Sequence, residues 1–224
     1  KKIYDERVGY FRAKDKGGNF RTIEGFNPSH HTKDYTEGTP WQYLWLVPHD
    51  VNGLIELLGG KEKSIARLDS LFLADSQLNA DANPDISGLI GQYAHGNEPS
   101  HHTLYIYNYL GQPDKARRRI HEVFRTMYTD KPEGVCGNED VGQMSAWYVM
   151  VAMGLYQVEP CGGKYQLSAP LVREASFDVP EGKTFTIRTK GKGTAVKRWK
   201  LNGKRLDRTW ITHDEIMAGG ILEA

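Results

Sequence analysis

Apolar positions divide the 224-residue chain into a helical stretch and a strand-like one. From Trp41 onward Val51, Leu54, Ile55, Leu57 and Leu58 recur at helical spacing, and Gly59-Gly60 ends the run. Ile65, Leu68, Leu71 and Phe72 predict a second helix. A loop of Asp, Asn and Pro from Asn79 to Pro84 follows, then a short helix through Leu89. Pro99 suits the first position of a helix reaching to about Leu110, and Pro113 opens another through Ala116, Ile120, Val123, Phe124 and Met127. Val141 to Leu155 is apolar nearly all round, which predicts a buried helix. Beyond Pro160 the period falls to two, over Phe177-Asp178-Val179, Thr184 to Arg188 and Lys197 to Leu201, and Asn202-Gly203 signals a hairpin. Ahead of all this, Gly17-Gly18-Asn19 separates short extended stretches around Tyr10-Phe11 and Phe20 to Ile23.

The pattern predicts a mainly α fold with a β segment. A turn-rich lead-in covers 1–40, helical hairpins cover 41–160, and antiparallel strands cover 161–224. The best-marked boundary is Cys161-Gly162-Gly163. The abrupt start at Lys1-Lys2 and the structured pattern at the other end read as a piece of a longer protein, so targeting signals are absent from view.

Composition removes several function classes. The 29 basic residues nearly balance the 28 acidic ones, whereas a nucleic-acid footprint needs a basic excess on one face. No apolar run approaches the roughly 18 residues of a membrane span. Aromatic residues reach 11%, with 5 Trp and 12 Tyr, which suits a dense core or stacking surfaces. Cys136 and Cys161 form neither a CxxC nor a zinc spacing, and both a disulfide and two buried thiols stay open.

Candidate chemistry starts with two echoing segments. Gly96-Asn97-Glu98-Pro99 and Gly137-Asn138-Glu139-Asp140 each place Gly-Asn-Glu before a predicted helix, and Glu37-Gly38-Thr39-Pro40 precedes the first one. Acidic residues at helix starts are common, because free N–H groups and the dipole favour them. Asp140 with Gln143 even resembles a capping box. Capping, however, needs neither the preceding Gly nor the neighbouring Trp41, Trp45, Trp147 and Tyr148, whereas a sugar site needs both carboxylates and flat aromatic faces. His30-His31, His95, His101 and His102 raise a zinc reading, but adjacent histidines on a helix diverge and no HExxH occurs. Asn138, Glu139 and Asp140 offer hard oxygens in one short loop, which suits calcium better. No G-x-S-x-G nucleophile motif is present, Ser145 reads as core, and Gly191-Lys192-Gly193-Thr194 reads as a turn.

Taken together, the motifs resemble the family 92 glycoside hydrolases, calcium-dependent exo-acting alpha-mannosidases found mainly in bacteria. The resemblance is carried by Thr39-Pro40-Trp41-Gln42-Tyr43 with Val47-Pro48-His49-Asp50, by Gly96 to His102, and by Gly137 to Tyr148. It continues through Leu201-Asn202-Gly203-Lys204, Thr212-His213-Asp214-Glu215-Ile216 and Gly219-Gly220.

The resemblance implies part of an (α/α)6 toroid followed by closing strands, with an N-terminal β-sandwich half belonging to the same protein but outside this sequence. It implies inverting hydrolysis of mannose-terminated glycans, with a secreted, periplasmic or cell-surface location. Glu98 matches the general acid. The base falls in the Thr212 to Glu215 segment, with Asp214 first and Glu215 second, and an inverting pair stands roughly 6.5–9.5 Å apart. Asn138, Glu139 and Asp140 match the calcium region, and Trp41, Gln42 and His101 match sugar-contacting positions. For Trp147 a core role is preferred. The alternative is a non-catalytic glycan-binding or structural piece whose acidic residues only cap helices.

Overall fold

The computed structural model describes residues 2–190, 196 and 198–224. The turn expected at Gly191 to Thr194 and the strand position at Lys197 lie outside the described residues. The chain forms two units, Lys1–Thr103 with Met127–Glu139 and Leu104–Thr126 with Asp140–Ala224.

The first unit opens on a pair of two-residue strands, β1 (Tyr4–Asp5) and β2 (Tyr10–Phe11). A one-turn helix α1 (Pro40–Tyr43) follows, where Gln42 Oε1 accepts from the Thr39 N–H and hydroxyl at 2.5 and 2.8 Å. Helix α2 (Val51–Leu57) starts at Asp50, whose carboxylate accepts from the Gly53 N–H at 2.8 Å. It buries Val51, Leu54 and Ile55, as their spacing predicts. Gly59 and Gly60, at φ of +89° and +99°, turn the chain into α3 (Lys61–Leu73), which buries Leu68, Leu71 and Phe72. Strands β3 (Leu89–Ile90) and β4 (Tyr93–Ala94) form a tight hairpin, and Phe72 packs on Tyr93 with ring centres 5.2 Å apart.

The second unit begins with α4 (Ile106–Tyr109) and α5 (Pro113–Thr126). Helix α5 buries Ala116, Ile120, Val123 and Phe124, and places Asp114 in its first turn and Arg125 in its last, complementing the helix dipole. After α6 (Gln143–Ala152), strands β5 (Leu155–Tyr156), β6 (Lys164–Leu167), β7 (Glu174–Val179) and β8 (Lys183–Arg188) follow. They continue with β9 (Trp199–Leu201), β10 (Lys204–Leu206) and β11 (Trp210–Thr212), then helix α7 (His213–Met217) and β12 (Gly220–Glu223). Among the described residues these strands form a sheet of order β11-β6-β5 and another of order β10-β9-β12-β8-β7. Leu155, Leu167, Phe185, Ile187, Trp199, Ile211 and Leu222 from the two sheets share one core with Ile216 of α7. Asn202 and Gly203, both in the left-handed region at φ of +50° and +77°, make the two-residue β9–β10 turn.

Helices and antiparallel sheets are thus both present, and five expectations change in detail. Leu89 lies in a strand, not a helix: Gly88 and Gly91 on either side have φ of +61°, which ends any helical run. The single helix expected from Pro99 to Leu110 is broken into 3-10 turns at Glu98–Ser100 and Thr103–Tyr105 before α4. Helix α6 buries Met144, Trp147, Val151 and Ala152 but leaves Val149 55% exposed, so it is one-faced within this chain. Its N-cap is Gly142 with no side-chain bond, so the Asp140–Gln143 capping box does not form. Finally, β12 pairs parallel with β8, so the strands are not all antiparallel.

Candidate active site

The loop bearing Glu98 grows out of the β3–β4 hairpin. His95 and Gly96 N–H groups continue its pairing by donating to Gly88 and Ser87 carbonyls, both at 3.0 Å. Asn97 is extended, and Pro99 in the first turn sets the 3-10 turn on which the half-buried Glu98 sits. The structure brings the two Gly-Asn-Glu segments together at their glycines. A Cβ on Gly137 would stand 2.4 Å from the Gly96 carbonyl oxygen, and one on Gly96 would stand 2.0 Å from Ser87 Oγ. Only glycine permits that approach. Asn97 Nδ2 donates to the Glu37 carbonyl at 2.8 Å, so the third acidic segment meets the same place. The contacts are made by backbone and amide groups.

Around this loop the residues expected to meet sugar are already engaged. Trp41 is half-buried, with Tyr10 edge-on at 5.6 Å and the Arg67 guanidinium 5.3 Å from its ring centre. Gln42 is buried, and its Nε2 donates to the Gln92 carbonyl at 2.6 Å while its oxygen serves Thr39. His101 is 1% exposed; its Nε2 donates to the His95 carbonyl at 3.0 Å and its ring stacks on His95. His102 Nε2 donates to the Trp45 carbonyl at 2.7 Å. Burial holds the pKa of all three imidazoles below the ordinary histidine value, that of His101 at about 4.

Asp214 and Glu215 lie in the second unit, at the start of α7, and do different things. Glu215 Oε2 accepts from the Thr212 N–H at 2.8 Å and hydroxyl at 3.2 Å, while the Glu215 N–H donates back to Thr212 Oγ1 at 3.1 Å. This is a capping box, and Arg208 bonds the other carboxylate oxygen. Burial pushes the Glu215 carboxyl up, but the Thr212 N–H and the Arg208 guanidinium outweigh it and hold the carboxyl below its usual range. Asp214 is exposed and has no side-chain partner among the described residues. Arg208 also lines a cavity of about 630 Å³ with Arg117, Arg198, Trp199, Arg205 and Thr209.

Asn138, Glu139 and Asp140 are all exposed, with Asn138 and Glu139 in the first unit and Asp140 opening a segment of the second. Asn138 Nδ2 points to Asp85 Oδ1 at 3.4 Å, which leaves its carbonyl oxygen available to a cation. The donor set is therefore hard oxygen and fits calcium in kind. Among the described residues no three His, Cys, Asp or Glu side chains gather as a metal cluster, by carboxylates or by histidines. Cys136 and Cys161 are both free.

Sequence reasoning missed Tyr93, Tyr128 and Arg208, and weighed His95 only as a zinc ligand. Tyr93 OH and Tyr128 OH each stand 2.8 Å from a His95 ring nitrogen, an arrangement signalled only by Tyr93 and His95 sharing one face of an extended segment. For Arg208 no sequence signal exists, because its pairing with Glu215 depends on how β11 returns to α7.

The chain is similar to several known proteins. A family 92 alpha-mannosidase of Bacteroides thetaiotaomicron, solved in complex with mannoimidazole, shares 36% identity and a TM-score of 0.89, over 99% of this chain and 30% of that one. A family 92 inverting mannosidase of the same organism shares 37% identity and a TM-score of 0.85, over 99% of this chain and 31% of that one. A protein of Arthroderma benhamiae described as an uncharacterized secreted glycosidase is 35% identical over 201 residues, which are 87% of this chain and 24% of that protein. The chain thus spans less than a third of the length of each. The glycosyl hydrolase family 92 catalytic domain matches residues 1–224, and the chain belongs to that family.

Proposed function

We propose that the protein carrying this chain hydrolyses terminal alpha-mannosidic bonds in mannose-containing glycans by a single inverting displacement, and that the chain is part of an (α/α)6 toroid with its following strands. The observation that carries this reading is the Gly-Asn-Glu-Pro turn. It holds a half-buried Glu98 carboxyl on a loop fixed by Gly96, Gly137 and Asn97, in a chain of the mannosidase family.

Glu98 gives its proton to the glycosidic oxygen as the C–O bond breaks, which requires a carboxyl still protonated at working pH. Asp214 accepts a proton from the water that attacks the anomeric carbon from the opposite face. Among the described residues no side-chain partner engages it, which favours it over Glu215, whose capping box and Arg208 bond occupy both oxygens. Asn138, Glu139 and Asp140 would hold calcium, which supplies a positive centre for sugar hydroxyls when bound. The N-terminal β-sandwich half is the expected structural partner. Secretion is consistent with the description of the Arthroderma relative, and among the described residues no helix is long and apolar enough to cross a membrane.

Glu98→Gln in the full-length protein tests the reading. Cleavage of an unactivated mannobioside should vanish, while a mannosyl substrate with a dinitrophenyl leaving group, which needs no proton, is still cleaved. Equal loss on both substrates would show Glu98 to be structural.

A further inference from the structure

The geometry points to a task for His101 other than touching sugar: we infer that His101 is a positioning residue that clasps the turn carrying Glu98, with His95 as the fixed half of the clasp. A carbonyl oxygen only accepts, so the 3.0 Å contact to the His95 carbonyl puts the ring proton of His101 on Nε2. That bond reaches back across six residues and closes a loop around Gly96-Asn97-Glu98-Pro99-Ser100. Inside it the Ser100 N–H donates to the Asn97 carbonyl at 3.1 Å, and the His101 N–H to the Glu98 carbonyl at 3.0 Å.

His95 is held from both ends. Tyr93 OH lies 2.8 Å from its Nδ1 and Tyr128 OH 2.8 Å from its Nε2, and its ring stacks on His101 at 4.8 Å and 28°. The two imidazoles are 0% and 1% exposed, so within this unit neither presents a face to a ligand. A three-residue 3-10 turn has little stability of its own. The clasp supplies what the turn lacks, a fixed direction for the Glu98 carboxyl, and misplacing a reacting group by about 1 Å costs on the order of 100-fold in rate.

This inference rests on the reading of Glu98 as the acid, and a clasp has a signature that a sugar contact lacks. In the full-length protein, His101→Phe keeps the stacked ring and loses the bond. Its kcat on an unactivated mannobioside should fall about 100-fold with KM unchanged, while the dinitrophenyl mannoside is turned over within a few-fold of the parent rate. Tyr128→Phe, nearly isosteric, frees one end of His95 and should show the same substrate-selective loss to a smaller degree. Equal losses on both substrates in either variant, or a raised KM with kcat preserved, would overturn the clasp. Tyr128→Phe at full activity on the mannobioside would overturn it too. If Glu98→Gln spares the activated substrate and His101→Phe does not, only the clasp fails; if Glu98→Gln itself loses both, the acid assignment fails first.

Discussion

Asp5 Oδ2 accepts from Arg12 Nη1 at 2.7 Å, with the two side chains 1% and 5% exposed. Arg7 bonds the same carboxylate through Nε and Nη2, and Arg12 also donates to the Thr22 carbonyl at 2.7 Å. The Arg7 guanidinium, with Arg12 and the Arg7 N–H beside it, holds the Asp5 carboxyl well below the usual range against the opposing effect of burial. The pair therefore staples the first strands to the segment around Thr22.

Removing one partner is expected to cost far more than the pair contributes. Asp5→Asn leaves the Arg12 cation buried beside a neutral amide, and an unpaired buried charge costs about 3–5 kcal/mol. Chemical denaturation of the variant should show a lower midpoint with an unchanged slope. A midpoint within the error of the parent would mean that Arg12 reaches water.

The buried imidazoles make a pH prediction with a definite sign. Burial keeps His95, His101 and His102 neutral, and the bond to the His95 carbonyl only partly offsets this for His101, at about 4. In the unfolded chain each binds a proton near pH 6.5. Between these values the unfolded state holds more protons, so stability is complete above about pH 6.5 and is lost as pH falls toward about 4. His101 alone accounts for on the order of 3 kcal/mol across that window. Asp5 adds little between pH 7 and pH 5, since its contribution is lost only as pH falls through the unfolded carboxyl value of about 3.9 and below. Thermal unfolding at pH 7 and pH 5 should show the drop, and a flat midpoint would contradict burial of neutral rings.

Calcium is tested by removal. A chelator should abolish mannosidase activity of the full-length protein, and added calcium should restore it, because Asn138, Glu139 and Asp140 are hard oxygen donors. Recovery with zinc alone would reject that ligand set and point back to histidines.

Legibility in the sequence followed how local each signal was. Helix α5 was readable because Ala116, Ile120, Val123 and Phe124 recur on one face, and the β9–β10 turn because Asn-Gly accepts positive φ at both positions. The two-residue strand at Leu89 was not, since no periodicity fits in two residues; the signal lay in Gly88 and Gly91. At Gly91 a Cβ would stand 2.4 Å from the Leu71 carbonyl oxygen, a tertiary constraint that spacing does not show. The Gly-Asn-Glu echo was visible, and its glycines do meet, but the reason is backbone packing at Gly96 and Gly137. Val149 read as core because its neighbours along the chain are apolar, although only one face of α6 is buried here.

The place of β12 bears on the order in which the molecule is made. It lies between β8, which it pairs in parallel from Gly220 opposite Phe185, and β9, which it pairs antiparallel at Leu222 opposite Leu201. During synthesis the β7–β8 and β9–β10 hairpins emerge first, each with an edge that has no strand beside it. Only when Gly220–Glu223 arrives are the two hairpins joined, and Leu222 then completes the core they share. A nascent chain stalled after Met217 would hold two separate ribbons with bare edges, open to pairing with other chains. Gly220–Glu223 thus decides when these described strands become one body.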